Sequence, residues 1–208
     1  MIQCVLFDSD GTLVDSERLA GVALVREFQH FGVELDADEL TERFRGWKLA
    51  DQLELMADEN GLELGDDFVD RYRAGLAQLF ETDLRPIPGI PELLASLDLP
   101  VAVVSNGPRA KIELALRVCA IEHFFGERVF SAYELGSWKP EPELYLWAAR
   151  ELGFEPAHCA VIEDGLIGVE SGVRAGMPTF FYNPTGEACP FAGVTEFSSM
   201  SELPALLG

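Results

Sequence analysis

The stretch FDSDGTLVDSE, residues 7–17, gathers the carboxylates of Asp8, Asp10, Asp15 and Glu17 directly after the apolar run Cys4-Val5-Leu6-Phe7. Other groups able to do chemistry also follow apolar runs. Ser105-Asn106 comes after 100–104, Lys139 lies in the segment after 128–131, and Glu163-Asp164 follows 159–162. Taken singly, each has a plain structural reading: a turn or cap for Asp-x-Asp, a helix-opening loop with Asn106 as N-cap, a solvated lysine, an acidic turn. Their recurrence at successive strand ends argues against that, because open α/β sheets bind ligands beyond the carboxyl ends of their strands.

If Asp8, Asp10 and Asp164 converge, each pair of like charges about 4 Å apart repels by about 4 kcal/mol at an effective dielectric near 20. Lys139 is the one lysine these segments put at hand, so the cluster calls for a hard cation with oxygen ligands. Mg²⁺ suits a few carboxylates, waters and a substrate phosphate. A metal-bound carboxylate set against a phosphoryl group can attack phosphorus to give an aspartyl-phosphate. Lys139, Ser105 and backbone N–H groups would then hold the equatorial oxygens.

Such groups must be carried by short buried strands. Apolar, β-branched or aromatic runs at 2–7, 100–104, 128–131, 159–162 and 178–182 read as strands buried on both faces of a parallel sheet. Helical patterns alternate with them at about 89–98, 109–119, 141–152 and 166–175. The fold class expected is α/β: a doubly wound, Rossmann-like parallel sheet with an inserted α-helical domain. Residues 1–15 and 83–208 would form the α/β core and 16–82 the helical cap. Within 16–82 no strand pattern occurs. A helix over 17–31, a capping-box-like start at Asp36 with Glu39, and a helix over 49–60 stopping at Gly61 are expected instead. Arg85-Pro86-Ile87-Pro88-Gly89 reads as a stiff hinge between the two parts. Asp15 and Glu17 read as hinge and helix-start residues.

At 208 residues the chain can hold one sizeable core with an insert, and at 48% apolar it is of globular composition. Fifteen basic against 36 acidic residues give a net charge of −21, a field that repels nucleic acid and anionic membranes. No apolar run suits a membrane span and no secretory signal is legible, so a cytoplasmic protein is expected. Cys4, Cys119, Cys159 and Cys189 lack metal-site spacing and read as reduced thiols. A small phosphorylated metabolite as partner and a monomeric state complete the expectation.

The motifs Asp8-Ser-Asp-Gly-Thr12, Val104-Ser-Asn-Gly107, Trp138-Lys-Pro140 and Ile162-Glu-Asp164 resemble those of the haloacid dehalogenase superfamily, on its phosphatase side. They stand in that family's order and span nearly the whole chain. The helical insert is similar to the small cap of the phosphoglycolate phosphatase and β-phosphoglucomutase group. The resemblance implies Asp8 as nucleophile and Mg²⁺ ligand. Asp10 would be the acid and then the base, its backbone carbonyl reaching the metal. Ser105 and Lys139 would bind the phosphoryl group with Asn106 lining the site, while Asp164 completes the metal shell, assisted by Glu163 directly or through water. One departure stands out: Gly165 follows the acidic pair where related phosphatases often carry serine, and Gly168 holds a position where a further acid could stand. No fourth side-chain ligand is then expected from this loop. The dehalogenase branch needs no equivalent of Asp10, so Asp10-Gly11-Thr12 favours phosphoryl transfer.

The cap loop Arg45-Gly-Trp-Lys-Leu49 would read the leaving group. It lacks the Ser-Arg of the β-phosphoglucomutase pattern and resembles the bacterial 6-phosphogluconate phosphatase type. The resemblance implies a phosphatase for a sugar or sugar-acid phosphate; Lys48, and secondarily Arg45, is expected to pair with a substrate carboxylate or second anionic group. A solvated cap lysine is the alternative for Lys48. A β-phosphoglucomutase-like mutase and a phosphorylation-switched binding module are the other functional readings.

Overall fold

In the computed structural model, which describes residues 1–208, the chain forms two units, Met1–Asp15 with Arg85–Gly208 and Ser16–Leu84. The second is all helical: α1 (Glu17–Gln29), α2 (Ala37–Phe44), α3 (Leu49–Asn60) and α4 (Phe68–Asp83). Asp36 opens α2 by accepting from the amides of Asp38 and Glu39, both at 2.9 Å, which satisfies two donors that the helix start leaves orphaned. Helix α3 stops before Gly61. Phe28 of α1 and Phe68 of α4 meet edge to face with centroids 5.4 Å apart, both fully buried. Beside them Glu27 accepts from Arg71 Nε at 3.0 Å.

The other unit is a six-stranded sheet in which every pairing is parallel. Its strands are β1 (Cys4–Phe7), β2 (Val101–Ser105), β3 (Val129–Ser131), β4 (Cys159–Glu163), β5 (Thr179–Tyr182) and β6 (Thr195–Phe197), in the order β3-β2-β1-β4-β5-β6. The connections carry α5 (Ile90–Ser96), α6 (Arg109–Val118), the one-turn helices α7 (Glu122–Phe125) and α8 (Ala132–Leu135), α9 (Glu143–Leu152), α10 (Leu166–Arg174) and the closing α11 (Leu203–Leu207). β1, β2 and β4 are buried at every residue, which is why they read as continuous apolar runs rather than alternating ones. Leu144, Tyr145, Ala148 and Ala149 of α9 pack against Leu6, Ala102, Val104 and Val161 of these strands. β6 was not expected. It is a three-residue edge strand with only Phe197 buried, too short and too exposed to give a periodic signal. No helix is long and apolar enough to cross a membrane.

Strand order reverses at β1, with β2 on one side and β4 on the other. A crevice for a ligand is expected at such a switch point, outside the carboxyl ends of the strands.

Candidate active site

The register of the three central strands assembles the site. Phe7 lies opposite both Val103 and Ile162. Asp8 therefore leaves β1 at the edge where Ser105 ends β2 and Glu163 ends β4, and its amide continues the ladder to the Ile162 carbonyl at 3.0 Å. Side chains far apart in sequence meet here because parallel strands bring their ends to one side.

Lys139 is the hub. Its ammonium donates to Asp8 Oδ1 at 2.6 Å, the Val104 carbonyl at 2.7 Å and Glu163 Oε1 at 2.5 Å, using all the protons an ammonium has. Burial opposes the lysine's charge, but Asp8 and Glu163 together more than offset this and hold it above its ordinary range. Asp8 is pushed the other way. Burial first, then the charges of Glu163 and Asp10, raise its carboxyl to about 7 against the opposing pull of Lys139. Asn106 anchors the lysine's backbone: Oδ1 accepts from the Lys139 amide at 2.9 Å and Nδ2 donates to its carbonyl at 3.3 Å. It is thus no N-cap; Pro108 holds that place on α6. Ser105 Oγ is oriented by the Gly107 amide at 3.0 Å.

Ligand oxygens of Asp8, Glu163 and Asp164 all lie within 4.8 Å of one another. Asp164 Oδ1 accepts from the Thr12 hydroxyl at 2.9 Å, and its carboxylate presses on the Asp8–Thr12 turn so closely that a Cβ on Gly11 would sit 2.1 Å from Oδ2. Gly11 also has φ +79°, so glycine is required twice over. The departure at Gly168 has a similar cause: a Cβ there would lie 2.0 Å from Glu163 Cδ and Oε1, so the space a side chain would take is filled by the carboxylate of Glu163. Gly165 is the N-cap residue of α10 with nothing within 4 Å of its missing Cβ.

The sequence offered one lysine; the structure brings a second. Lys111 of α6 donates to both oxygens of Asp10 at 2.8 Å. Its signal was legible in principle, since a lysine in the first turn of a helix opposes the macrodipole and gains most from an anion nearby. Thr12, which the sequence offers only as part of the Asp8–Thr12 motif, and Tyr145 also join the site through their hydroxyls. Tyr145 reads as core because it sits on the apolar face of α9, and its hydroxyl shows its use only once Glu163 is packed against it at 2.5 Å. With all four carboxylates ionised, as they must be to hold a cation, Asp8, Asp10, Glu163 and Asp164 face two ammonium groups, leaving two negative charges uncompensated. A single divalent cation with oxygen ligands fits that donor set and that charge.

In the helical unit, Arg45 caps α2 and its Nε reaches both carboxylate oxygens of Glu17, at 3.2 and 3.1 Å. Lys48 is the N-cap residue of α3, and between them Trp47 is 45% exposed with its ring edge-on to Phe44 at 5.5 Å. Asp15 is exposed, its amide bound to the Arg85 carbonyl at 2.9 Å.

The model of the haloacid dehalogenase-like hydrolases matches residues 2–176. The chain belongs to this family. The hydrolase is 37% identical over 208 residues to the 6-phosphogluconate phosphatase of Escherichia coli (strain K12), covering 99% of this chain and 94% of that protein. A conserved haloacid dehalogenase-like protein of unknown function from Agrobacterium tumefaciens str. C58 superposes with a TM-score of 0.82 at 28% identity, over 100% of this chain and 98% of the other. A haloacid dehalogenase-family hydrolase from Deinococcus radiodurans R1, solved with bound phosphate and sodium, gives 0.78 at 29% identity over 99% and 95% of the two chains. The enzyme is a phosphoric monoester hydrolase of this family.

Proposed function

We propose that the hydrolase is a Mg²⁺-dependent phosphatase that cleaves a small sugar or sugar-acid phosphate, with 6-phosphogluconate the foremost candidate, through an aspartyl-phosphate on Asp8. The observation that carries this reading is the buried contact of Lys139 with Asp8 beside an acidic cluster whose two excess negative charges call for a divalent cation. Likeness to the Escherichia coli 6-phosphogluconate phosphatase supports the substrate class.

In this reading the α/β unit is the catalytic body and Ser16–Leu84 the cap. Asp8, Asp164 and the Asp10 carbonyl would hold the Mg²⁺, which when bound neutralises the cluster and draws charge from a phosphoryl oxygen. Lys139 keeps Asp8 Oδ1 fixed and supplies positive charge next to the reacting phosphorus, while the Ser105 hydroxyl donates to a phosphoryl oxygen. Asp8 attacks phosphorus and the bond to the leaving oxygen breaks, with Asp10 giving that oxygen a proton. Asp10, now ionised, takes a proton from water as the water attacks phosphorus. The Asp8–phosphorus bond breaks, inorganic phosphate leaves, and Asp10 is again the acid. The contact with Lys111 is the ion pair of the ionised form, so it belongs to the second half of this cycle.

Phosphate release with Mg²⁺ is the test, measured on 6-phosphogluconate, phosphoglycolate, hexose 6-phosphates and β-glucose 1-phosphate. Turnover abolished by EDTA and by Asp8→Asn supports the reading. No release from any of them, with a stable acid-labile phosphoprotein after acetyl phosphate, would overturn it in favour of a switch module. The reading of Lys48 is tested by Lys48→Ala: a loss confined to the sugar-acid phosphate supports carboxylate recognition, and equal losses on acid and neutral substrates remove it.

A further inference from the structure

Glu163 lies within metal-binding distance of Asp8 and Asp164, and distance alone would let it join a cation there. Its hydrogen bonds point elsewhere. Glu163 Oε1 accepts from Lys139 Nζ and from the Tyr145 hydroxyl, each at 2.5 Å, so two donors converge on one oxygen. The same tyrosine places its ring under the lysine, with Nζ 4.9 Å from the ring centroid. Tyr145 is completely buried on α9, and burial together with the nearby charge of Glu163 pushes its phenol well above the usual range, so it stays a neutral donor. Behind Glu163, Gly168 on α10 leaves room for the carboxylate and nothing larger.

A buried tyrosine needs a hydrogen-bond acceptor, and any backbone carbonyl would serve that need. Here the acceptor is a carboxylate oxygen that is already bound to the lysine touching Asp8. We infer that Tyr145 is a positioning residue: through its hydroxyl and ring it commits Glu163 to Lys139, which keeps Glu163 out of the metal's inner shell and keeps the lysine aimed at Asp8. This rests on the phosphatase reading for its effect on turnover, but its effect on metal binding can be read without any substrate. Without the hydroxyl, Glu163 loses one of the two donors on Oε1 and becomes free to turn toward the cation. A site gaining a third carboxylate binds the ion more tightly and holds Lys139 less well.

The experiment compares wild type, Tyr145→Phe, Glu163→Gln and the double variant, by calorimetric titration of the metal-free proteins with Mg²⁺ and by steady-state phosphate release. Tyr145→Phe keeps the ring and removes one atom. It is expected to tighten Mg²⁺ binding by about fivefold and to lower kcat roughly tenfold with little change in KM. In the Glu163→Gln background the same change is expected to move Mg²⁺ affinity by less than about twofold, because the carboxylate it would release is gone. Glu163→Gln alone is expected to weaken Mg²⁺ binding by no more than about 100-fold, the range for loss of an outer partner. It also keeps the question answerable if Tyr145→Phe fails to fold. A loss of Mg²⁺ affinity well beyond about 100-fold in Glu163→Gln would make Glu163 a direct ligand and overturn the inference. So would a Tyr145→Phe variant that matches wild type in Mg²⁺ affinity and kcat and differs only in thermal stability. A wild-type protein that neither binds Mg²⁺ nor releases phosphate overturns the phosphatase reading itself, and the inference with it. That outcome is distinct, because it appears in the control before any variant is compared.

Discussion

Lys111 Nζ lies 2.8 Å from each oxygen of Asp10, a two-point ion pair that joins the first turn of α6 to the turn after β1. Both side chains are about one-quarter exposed, so the pair is partly screened and its strength is that of a positioning contact rather than a buried bridge. What it fixes is where the Asp10 carboxylate points. Lys111→Met is expected to lower kcat by roughly tenfold through lost positioning, whereas Lys111→Arg, which can also grip both oxygens, should stay within about threefold. Steady-state kinetics on the best substrate check this, and equal losses in both variants would show that the fork geometry does not matter.

Asp8 gives the metal-free protein a pH dependence of defined sign. Its carboxyl is raised to about 7 in the fold, so between the unfolded value near 3.8 and about 7 the native state holds more of this proton than the unfolded chain. Stability contributed by this group therefore falls as pH rises through that window, and is level outside it. The full effect is at most on the order of 4 kcal/mol. Thermal unfolding of EDTA-treated protein from pH 4 to 8 should show a downward slope that is flatter in Asp8→Asn. Mg²⁺ should restore stability most at the upper end, where it meets an ionised Asp8.

Gly168→Ala would put a methyl group 2.0 Å from the Glu163 carboxylate. Either Glu163 or α10 must shift, at a cost of about 1–3 kcal/mol in stability. Because Glu163 holds Lys139, a tenfold or greater fall in kcat is expected, of the order seen when supporting partners of a site are lost. Gly165→Ser is the matched control. Open space surrounds that position, so both stability and kcat should remain near wild type, and a loss as large as that of Gly168→Ala would refute the steric account.

Thr12→Val removes the hydroxyl that donates to Asp164 Oδ1 while preserving shape. Losing such an outer contact typically weakens metal binding by about 10–100-fold. Mg²⁺ titration of the folded variant should show that loss, and unchanged affinity would mean that packing against Gly11 alone orients Asp164.

Much of this arrangement was legible before folding because it is written in local physics. Short continuous apolar runs rich in β-branched and aromatic residues fit strands buried on both faces, and they alternate with helical patterns in a way that leaves a parallel sheet as the economical packing. Asp36 and Gly61 mark helix ends through backbone chemistry that depends on a few neighbouring residues. Polar residues that end apolar strands must emerge on one side of a parallel sheet, so the assembly of Asp8, Ser105 and Glu163-Asp164 at one edge follows from strand direction.

Partner choice among side chains does not follow, because it is set by distances between elements far apart in sequence. That Glu163 turns to Lys139 and Tyr145 depends on how α9 and α10 pack beside β4. That Lys111 grips Asp10 depends on the angle at which α6 leaves β2. Gly168 looks in sequence like a missing ligand, and only the packed structure shows its position filled by a neighbour's carboxylate. Residue types and their order determined which strand ends carry the chemistry; the tertiary structure decided which oxygen meets which proton, since hydrogen bonds act over distances that sequence spacing does not specify.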